Sequence, residues 1–142
     1  IAPALIEMGK REVTRAGLAG RIELLVAPAT RLPFDDGRFD VVLTSHTIKH
    51  LDDTALATAL REVARVLSPR GRFLLWEFEK NPRSAPLFWS ARVSGWPPPF
   101  RLRSAAELGG ALTAAGFHRV TRVPTGVFLM TPVPRMALLA QR

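Results

Sequence analysis

The strongest constraint on the fold is a set of short apolar runs that lack regular polar alternation. Ile22–Val26 (IELLV), Phe39–Thr44 (FDVVLT) and Arg72–Glu77 (RFLLWE) have the length of strands, and turn residues bound them. Strands of this kind are expected where both faces of a sheet are covered. Helical patterns accompany the runs, so the sequence predicts an α/β fold with a mostly parallel sheet and helices on both faces.

Three helices are predicted from their termini. The first begins at Pro3, because proline suits the first helical turn. The second follows Asp52 and Asp53, which can cap it, and carries Leu56, Leu60, Val63 and Leu67 on one face until Pro69 and Gly71 stop it. The third opens with a capping box at Ser104–Glu107 and runs through Ala115. Two closing strands, Val120–Val123 and Val133–Ala140, suggest an antiparallel hairpin.

Length and composition narrow the class of protein. The 142 residues suit one domain, with no cysteine and no apolar stretch long enough to span a membrane, which fits a cytoplasmic protein. The net charge is +8, and from Lys80 onward nine basic residues face one acid, Glu107. Arg outnumbers Lys seventeen to three, a bias that a GC-rich genome would give without functional meaning. Alternatively, the basic excess indicates an anionic substrate or nucleic acid near the C-terminal segments.

Residues 81–103 are irregular and rich in proline and aromatic residues, which is typical of a lid or binding insertion. Trp89, Trp96 and Phe100 either line an apolar pocket or cap the end of the sheet. Three arginines of the same segment either contact a carboxylate or phosphate or form a solvated basic face; they are Arg92, Arg101 and Arg103.

The series LPFDDGRFDVVLTSHTIKHLDD, followed by LREVARVLSPRGRFLLWEF, resembles the second half of class I S-adenosylmethionine-dependent methyltransferases. The similarity is greatest to the branch that methylates small molecules such as quinone precursors, and it covers almost the whole chain. It implies an incomplete Rossmann-like methyltransferase sheet in a single truncated domain, residues 1–142, with S-adenosylmethionine as cofactor and a small-molecule acceptor as partner.

The resemblance also implies what this chain lacks. Gly9, Gly17 and Gly20 do not form the glycine-rich loop that approaches the cofactor, and the acid that holds its ribose is missing. In the family the strand order is 3-2-1-4-5-7-6, and Ile22–Val26 and Phe39–Thr44 would be strands 3 and 4. With strands 1 and 2 absent, we expect these two runs to pair directly, although drift of strand 3 or pairing with a missing N-terminal segment or another chain are alternatives.

Ligands of open α/β sheets bind beyond the carboxyl ends of the strands, where Thr44–His50 lies. His46 and His50 are therefore the candidate catalytic residues, as a general base or for orienting the acceptor. Alternatively, His46 packs near the cofactor and His50 merely begins the next helix. Lys49 is either a solvated side chain or a contact to the acceptor. No metal site is expected, because no carboxylate or third histidine stands at ligand spacing.

By resemblance, Ala27, Pro28, Ala29, Ser45 and His46 would contact the cofactor, and Lys49, Trp89, Arg92 and Trp96 the acceptor. Pro28 stands where relatives carry an acid that accepts from the adenine amino group, and proline can neither accept through its side chain nor donate through its backbone. We therefore expect the isolated chain to bind S-adenosylmethionine poorly or not at all.

Three functions are compatible with the sequence. The first is methyl transfer to a small molecule. In this case the chain is the C-terminal part of a longer enzyme, and this part alone is inactive. The second is a degenerate, non-catalytic partner of the same fold. The third is a basic nucleic-acid-binding module, which would explain the charge but for which no recognised motif is present. We favour the first.

Overall fold

The structure of the protein is a computed structural model, and it describes residues 3–80, 100–124 and 135–142. A 3₁₀ turn, Ile48–His50, lies between the first strand and the second helix. The elements in chain order are α1 (Pro3–Arg15), β1 (Phe39–Ser45), α2 (Asp53–Val66), β2 (Leu67–Phe78), α3 (Ala105–Ala114), β3 (His118–Val123) and β4 (Arg135–Gln141).

The four strands form one sheet in the order β1-β2-β4-β3. β1 pairs in parallel with β2, whereas β4 pairs antiparallel with both β2 and β3. The order corresponds to the 4-5-7-6 part of the family sheet, and the antiparallel pairing of the last two strands is confirmed. The prediction of a mostly parallel sheet is wrong for the described residues, since only one of these three pairings is parallel.

The core lies between one face of the sheet and the helices α2 and α3. Alternate residues of the central strands, such as Phe73 and Leu75 of β2 and Leu138 of β4, point into it because side chains alternate along a strand. The helices contribute Leu56, Leu60, Val63, Leu108 and Leu112. The prediction of helices on both faces fails at β1, where Val41 and Leu43 of the opposite face are 62% and 57% exposed.

The predicted starts of α2 and α3 are confirmed. The Asp52 carboxylate accepts from the Ala55 N–H at 2.8 Å, and Ser104 and Glu107 form a complete capping box. The predicted end of α2 is wrong. The helix stops at Val66, and Pro69 and Gly71 lie inside β2.

The loop before β1 is fastened to α2 by one arginine. Arg65 donates to the carbonyls of Leu32 and Phe34 and to the Asp36 carboxylate, the last at 2.7 Å. Glu62 completes the anchor by accepting from the Leu32 N–H and from Arg65. The acidic turn of LPFDDG therefore sets the entry of the chain into β1.

The predicted strand Ile22–Val26 does not form. These residues are irregular, and β1 pairs with β2 alone among the described residues, so the expected direct pairing with Phe39–Leu43 is wrong. The segment lies against α1 instead, with Leu24 close to Gly9. An apolar run becomes a strand only when a neighbouring strand satisfies its backbone hydrogen-bonding groups. Pairing at the β1 edge would also require a register that packs the side chains of Ile22–Val26.

None of the described helices has the length and hydropathy of a membrane-spanning segment.

Candidate functional site

Polar side chains gather where the parallel strands β1 and β2 end. Ser45 at the end of β1 pairs with Trp76 of β2. The residues that follow them, His46 and Glu77, therefore reach the same edge of the sheet. The His46 N–H donates to the Trp76 carbonyl at 2.9 Å, which extends the ladder by one residue. This carboxyl edge is the usual location of ligands in open α/β sheets.

His46 adopts a left-handed backbone conformation, with φ of 52°. Such a conformation is uncommon outside glycine and is often found at functional sites. Its imidazole Nδ1 lies 3.4 Å from the Glu77 Oε1, its ring lies 4.4 Å from that of Phe78, and 31% of the side chain is exposed. The carboxylate favours the tautomer with the proton on Nδ1, which leaves Nε2 as a proton acceptor.

Lys49 is buried, with 6% of the residue exposed, so its interpretation as a solvated side chain is wrong. Its Nζ donates to the His46 carbonyl and lies 3.7 Å from the Glu77 Oε1. The ammonium also sits 5.1 Å from the ring centre of Phe78 and 5.6 Å from that of Phe100. Lys49 thus holds the backbone of His46, and its predicted contact with an acceptor stays a prediction.

Glu77 is the site residue that the sequence interpretation missed. It is 2% exposed and makes several contacts at once, accepting from the N–H groups of Lys49 at 3.2 Å and Phe78 at 2.9 Å. The available signal was a carboxylate at the end of an otherwise apolar strand. A buried carboxylate needs charge and hydrogen-bond partners, and these donors supply them.

His50 lies apart from these contacts, exposed on the 3₁₀ turn, where its ring meets Phe100 edge-on at 5.3 Å. Arg103 is also buried, which rules out the solvated interpretation for this residue. It donates to the carbonyls of Ile48 and Leu51 and to Asp53 at 2.7 Å. The hydrogen bond from Arg103 lowers the pKa of the Asp53 carboxyl. Arg103 therefore fixes the turn that carries Lys49 and His50.

A groove of about 880 Å³ lies between α2, residues 100–103 and α3, and neither His46 nor Glu77 lines it. Leu56, Ala57 and Ala111 line its apolar part, and its charged lining is mixed, with the bases Arg61 and Arg101 and the acids Asp53 and Glu107. Its size and mixed lining are those of a site for a small organic molecule. Phe100 lines the groove, in agreement with its predicted place in a pocket wall.

The residues predicted to contact the cofactor do not all follow strands of the sheet. Ala27–Ala29 lie in a loop, where the Pro28 carbonyl accepts from the Arg31 N–H at 3.0 Å. Ser45 is exposed at the end of β1, and its carbonyl accepts from the Thr47 hydroxyl. Trp89, Arg92 and Trp96 fall outside the described residues, as does most of the predicted insertion at 81–103. Within the described ranges no group of three potential metal ligands occurs.

Comparison with known proteins places the chain beside methyltransferases. A family model described as a methyltransferase domain matches residues 1–75. The ubiquinone/menaquinone biosynthesis C-methyltransferase UbiE of Ectopseudomonas mendocina is 32% identical over 141 residues, covering 85% of this chain and 54% of the relative. UbiE of Francisella philomiragia is 40% identical over 80 residues, which cover 56% and 31% of the two chains. The chain thus spans about a third to a half of the length of these relatives.

Solved structures show the same fold. The mitomycin 7-O-methyltransferase MmcR is 26% identical with a TM-score of 0.76, covering 99% of this chain and 40% of that one. The 1,6-didemethyltoxoflavin-N1-methyltransferase of Burkholderia thailandensis is 22% identical with a TM-score of 0.68, covering 94% and 56%. The arrangement of the described sheet and helices is therefore one that methyltransferases use.

Proposed function

The chain belongs to the class I S-adenosylmethionine-dependent methyltransferase family, and we propose that it supplies the acceptor side of methyl transfer to a small, hydroxyl-bearing aromatic molecule. The observation that carries the proposal is the contact of His46 with buried Glu77 at the carboxyl edge of the parallel strands. The names of similar proteins, which include C- and O-methyltransferases, support a small-molecule acceptor.

The chain's own residues fit the cofactor only in part. Ser45 and His46 stand at the edge where a cofactor would meet an acceptor, but Pro28 offers no side-chain acceptor for adenine, and none of the three N-terminal glycines follows a strand. When bound to such enzymes, S-adenosylmethionine supplies an electrophilic methyl group. We therefore assign His46, Lys49 and Glu77 to the acceptor.

His46 is proposed to remove the acceptor's proton. With Nδ1–H directed at Glu77, the Nε2 lone pair is free to take a hydroxyl proton, and the oxygen gains electron density for attack on the methyl carbon. The same proton loss activates a phenol ring for methylation at carbon. Glu77 stabilises the imidazolium that forms, and Lys49 keeps the His46 backbone in its left-handed conformation.

The groove between α2 and α3 is proposed to hold the acceptor, because Phe100 lines it and also contacts Lys49 and His50. Its apolar part suits an aromatic ring, and its mixed charged lining suits the polar substituents of such a ring. His50, exposed beside Phe100, is proposed to orient the ring rather than to take the proton.

The test compares variants in the polypeptide that contains this chain, with labelled S-adenosylmethionine and a panel of phenols and quinols. We expect His46→Gln to lower kcat by about a hundredfold or more, with KM for S-adenosylmethionine little changed. Glu12→Gln is the control, because Glu12 is exposed on α1, where it pairs with Arg15. Equal loss in both variants, or full activity in His46→Gln, would contradict the assignment.

A non-catalytic role is the alternative that Pro28 favours, because the family resemblance implies an acid at this position. In that case the wild-type polypeptide would bind no S-adenosylmethionine and methylate none of the acceptors. Calorimetry with S-adenosylhomocysteine on the same polypeptide separates the two, since binding without turnover would point to an untested acceptor.

A further inference from the structure

Four arginines meet at the end of the sheet opposite the candidate site. Together with His118 and Gln141 they line a depression of about 420 Å³, and none of the described residues that line it is acidic. The arginines are Arg70, Arg72, Arg119 and Arg142. Arg72 stands five residues before Glu77 on β2, about 17 Å away at the usual rise of a strand. The depression, which we call the arginine depression, is thus separate from the proposed methyl-transfer site.

The sheet register builds the arginine depression from three strands. Arg72 of β2 pairs with Gln141 of β4, and Gln141 pairs with His118 of β3, so these side chains share one face in a row. Arg142 follows directly, and its N–H donates to the Gly71 carbonyl at 3.1 Å. Residues distant in sequence are therefore held in fixed positions around one concavity.

A backbone irregularity directs Arg119 into it. The register of β3 with β4 shifts between His118 and Thr121, and Arg119 takes a left-handed conformation with φ of 51°. Bulges of this kind re-aim side chains and are frequent beside functional sites. The Arg119 guanidinium reaches the Gln141 Oε1 at 3.5 Å, which leaves the amide nitrogen of Gln141 as a further donor.

Within the described parts of the chain, no acidic side chain forms an ion pair with these arginines. Arg70 and Arg72 make no side-chain hydrogen bond or ion pair there, and Arg142 donates to the carbonyls of Arg65 and Leu67. Asp40 of β1 accepts from the Ser68 hydroxyl at 3.1 Å. Several guanidinium groups around one small concavity repel each other unless an anion lies between them.

We propose that the arginine depression binds a small ligand through one or two phosphate groups. Guanidinium forks match phosphate oxygens in pairs, and the concavity has room for a diphosphate. A nucleic acid would instead call for a basic stripe along its backbone. The site acts independently of methyl transfer.

Calorimetry of the full 142-residue chain with sodium pyrophosphate, at constant ionic strength, tests the proposal. We expect saturable one-to-one binding that is weaker with orthophosphate and sulfate. The double variant Arg72→Gln/Arg119→Gln should weaken pyrophosphate binding at least about tenfold, because two charge-assisted contacts are lost. The control Arg11→Gln/Arg21→Gln removes the same charge from exposed positions near the N-terminus and should change affinity by less than about twofold.

Three results would overturn the proposal. They are no saturable binding by the wild type, an equal loss in the control pair, and binding of a single-stranded oligonucleotide alone with steep salt dependence. Circular dichroism checks that each variant folds. If the double variant does not fold, Arg119→Lys replaces it, since this change keeps the charge but removes the fork and should still weaken binding severalfold. Amide NMR shifts at His118, Arg119 and Arg142 locate the bound anion.

Discussion

The ammonium of Lys49 lies 3.7 Å from the carboxylate of Glu77, and only 7% and 3% of the two side chains are exposed. Each charge has lost most of its hydration, so each depends on the other and on nearby hydrogen bonds. Because Glu77 also contacts His46, the pair connects the end of β1 with the end of β2.

Breaking this pair from one side should destabilise the chain strongly. We expect Lys49→Met to lower the free energy of unfolding by about 3 kcal/mol or more, because a buried carboxylate loses its cation. Lys49→Met/Glu77→Gln should recover part of that loss. Urea unfolding measures both. The control is Lys10→Met, which breaks a surface pair with Glu7 at 55% and 61% exposure and should cost less than about 1 kcal/mol. Similar costs at Lys49 and Lys10 would contradict the importance of burial.

The Lys49–Glu77 pair could not be read from the sequence, although its surroundings could. The position of His46 after a strand, and of the strand within the sheet, followed from apolar patterning and resemblance. The pairing of residues 28 positions apart depends on the register Ser45 to Trp76, which no local pattern specifies. The sequence therefore shows an acid, Glu77, near the end of the strand but does not show that it pairs with Lys49.

Stability at acid pH should depend on Glu62. The hydrogen bond from Arg65, followed by that from the Leu32 N–H, lowers the pKa of the Glu62 carboxyl from its ordinary value of 4.5 to about 2. A lowered pKa in the folded state adds stability that is fully present above about pH 4.5 and is lost as the pH falls towards 2. Urea unfolding at several pH values should show this loss in the wild type.

Glu62→Gln should remove that part of the pH dependence, so the difference between wild type and variant should shrink from pH 5 towards pH 2. Glu12→Gln is the control, because Glu12 is exposed and pairs only with Arg15 on α1. A constant difference between wild type and Glu62→Gln across this range would contradict the lowered pKa.

Local signals located α2 and α3 well because capping is a matter of neighbouring residues. The strand prediction at Ile22–Val26 failed because a strand also requires a partner edge, which is not a local property. With β1 paired to β2 alone among the described residues, Ile22, Leu25 and Val26 remain substantially exposed. Because β1 pairs only with β2 among the described residues, β1 is an edge strand of the described sheet.

The outer edge of β1 should make the isolated chain associate at high concentration. Exposed Val41 and Leu43 lie on an edge strand whose outer backbone groups pair with no other described strand, a combination that favours strand-to-strand contact. We expect Val41→Lys/Leu43→Lys to weaken self-association about tenfold or more, measured by size-exclusion chromatography with light scattering. Ile22→Lys/Leu25→Lys is the control, since it adds the same charge to exposed apolar positions outside the sheet. Equal effects of both pairs would assign association to general hydrophobicity.

The 142-residue chain should bind S-adenosylmethionine weakly, with a dissociation constant above about 1 mM. The side chain of Pro28 cannot accept from the adenine amino group, and Gly9, Gly17 and Gly20 do not form the glycine-rich loop that approaches the methionine part of the cofactor. Isothermal titration with S-adenosylmethionine and S-adenosylhomocysteine measures this. A micromolar dissociation constant for this chain would contradict the expectation and would require a binding mode built from other residues.

Substitutions of Arg119 should affect stability through its backbone conformation and pyrophosphate affinity through its side chain. Its left-handed conformation costs about 1–2 kcal/mol for a residue with a Cβ, whereas glycine adopts it freely but gains entropy in the unfolded chain. We therefore expect Arg119→Gly to raise the free energy of unfolding by about 0.5 kcal/mol relative to Arg119→Ala, measured in urea. Both variants should lose pyrophosphate affinity equally, since both lack the guanidinium. Equal stabilities would show that the bulge is unstrained, and unequal affinities would show that backbone shape, rather than the Arg119 side chain, governs the arginine depression.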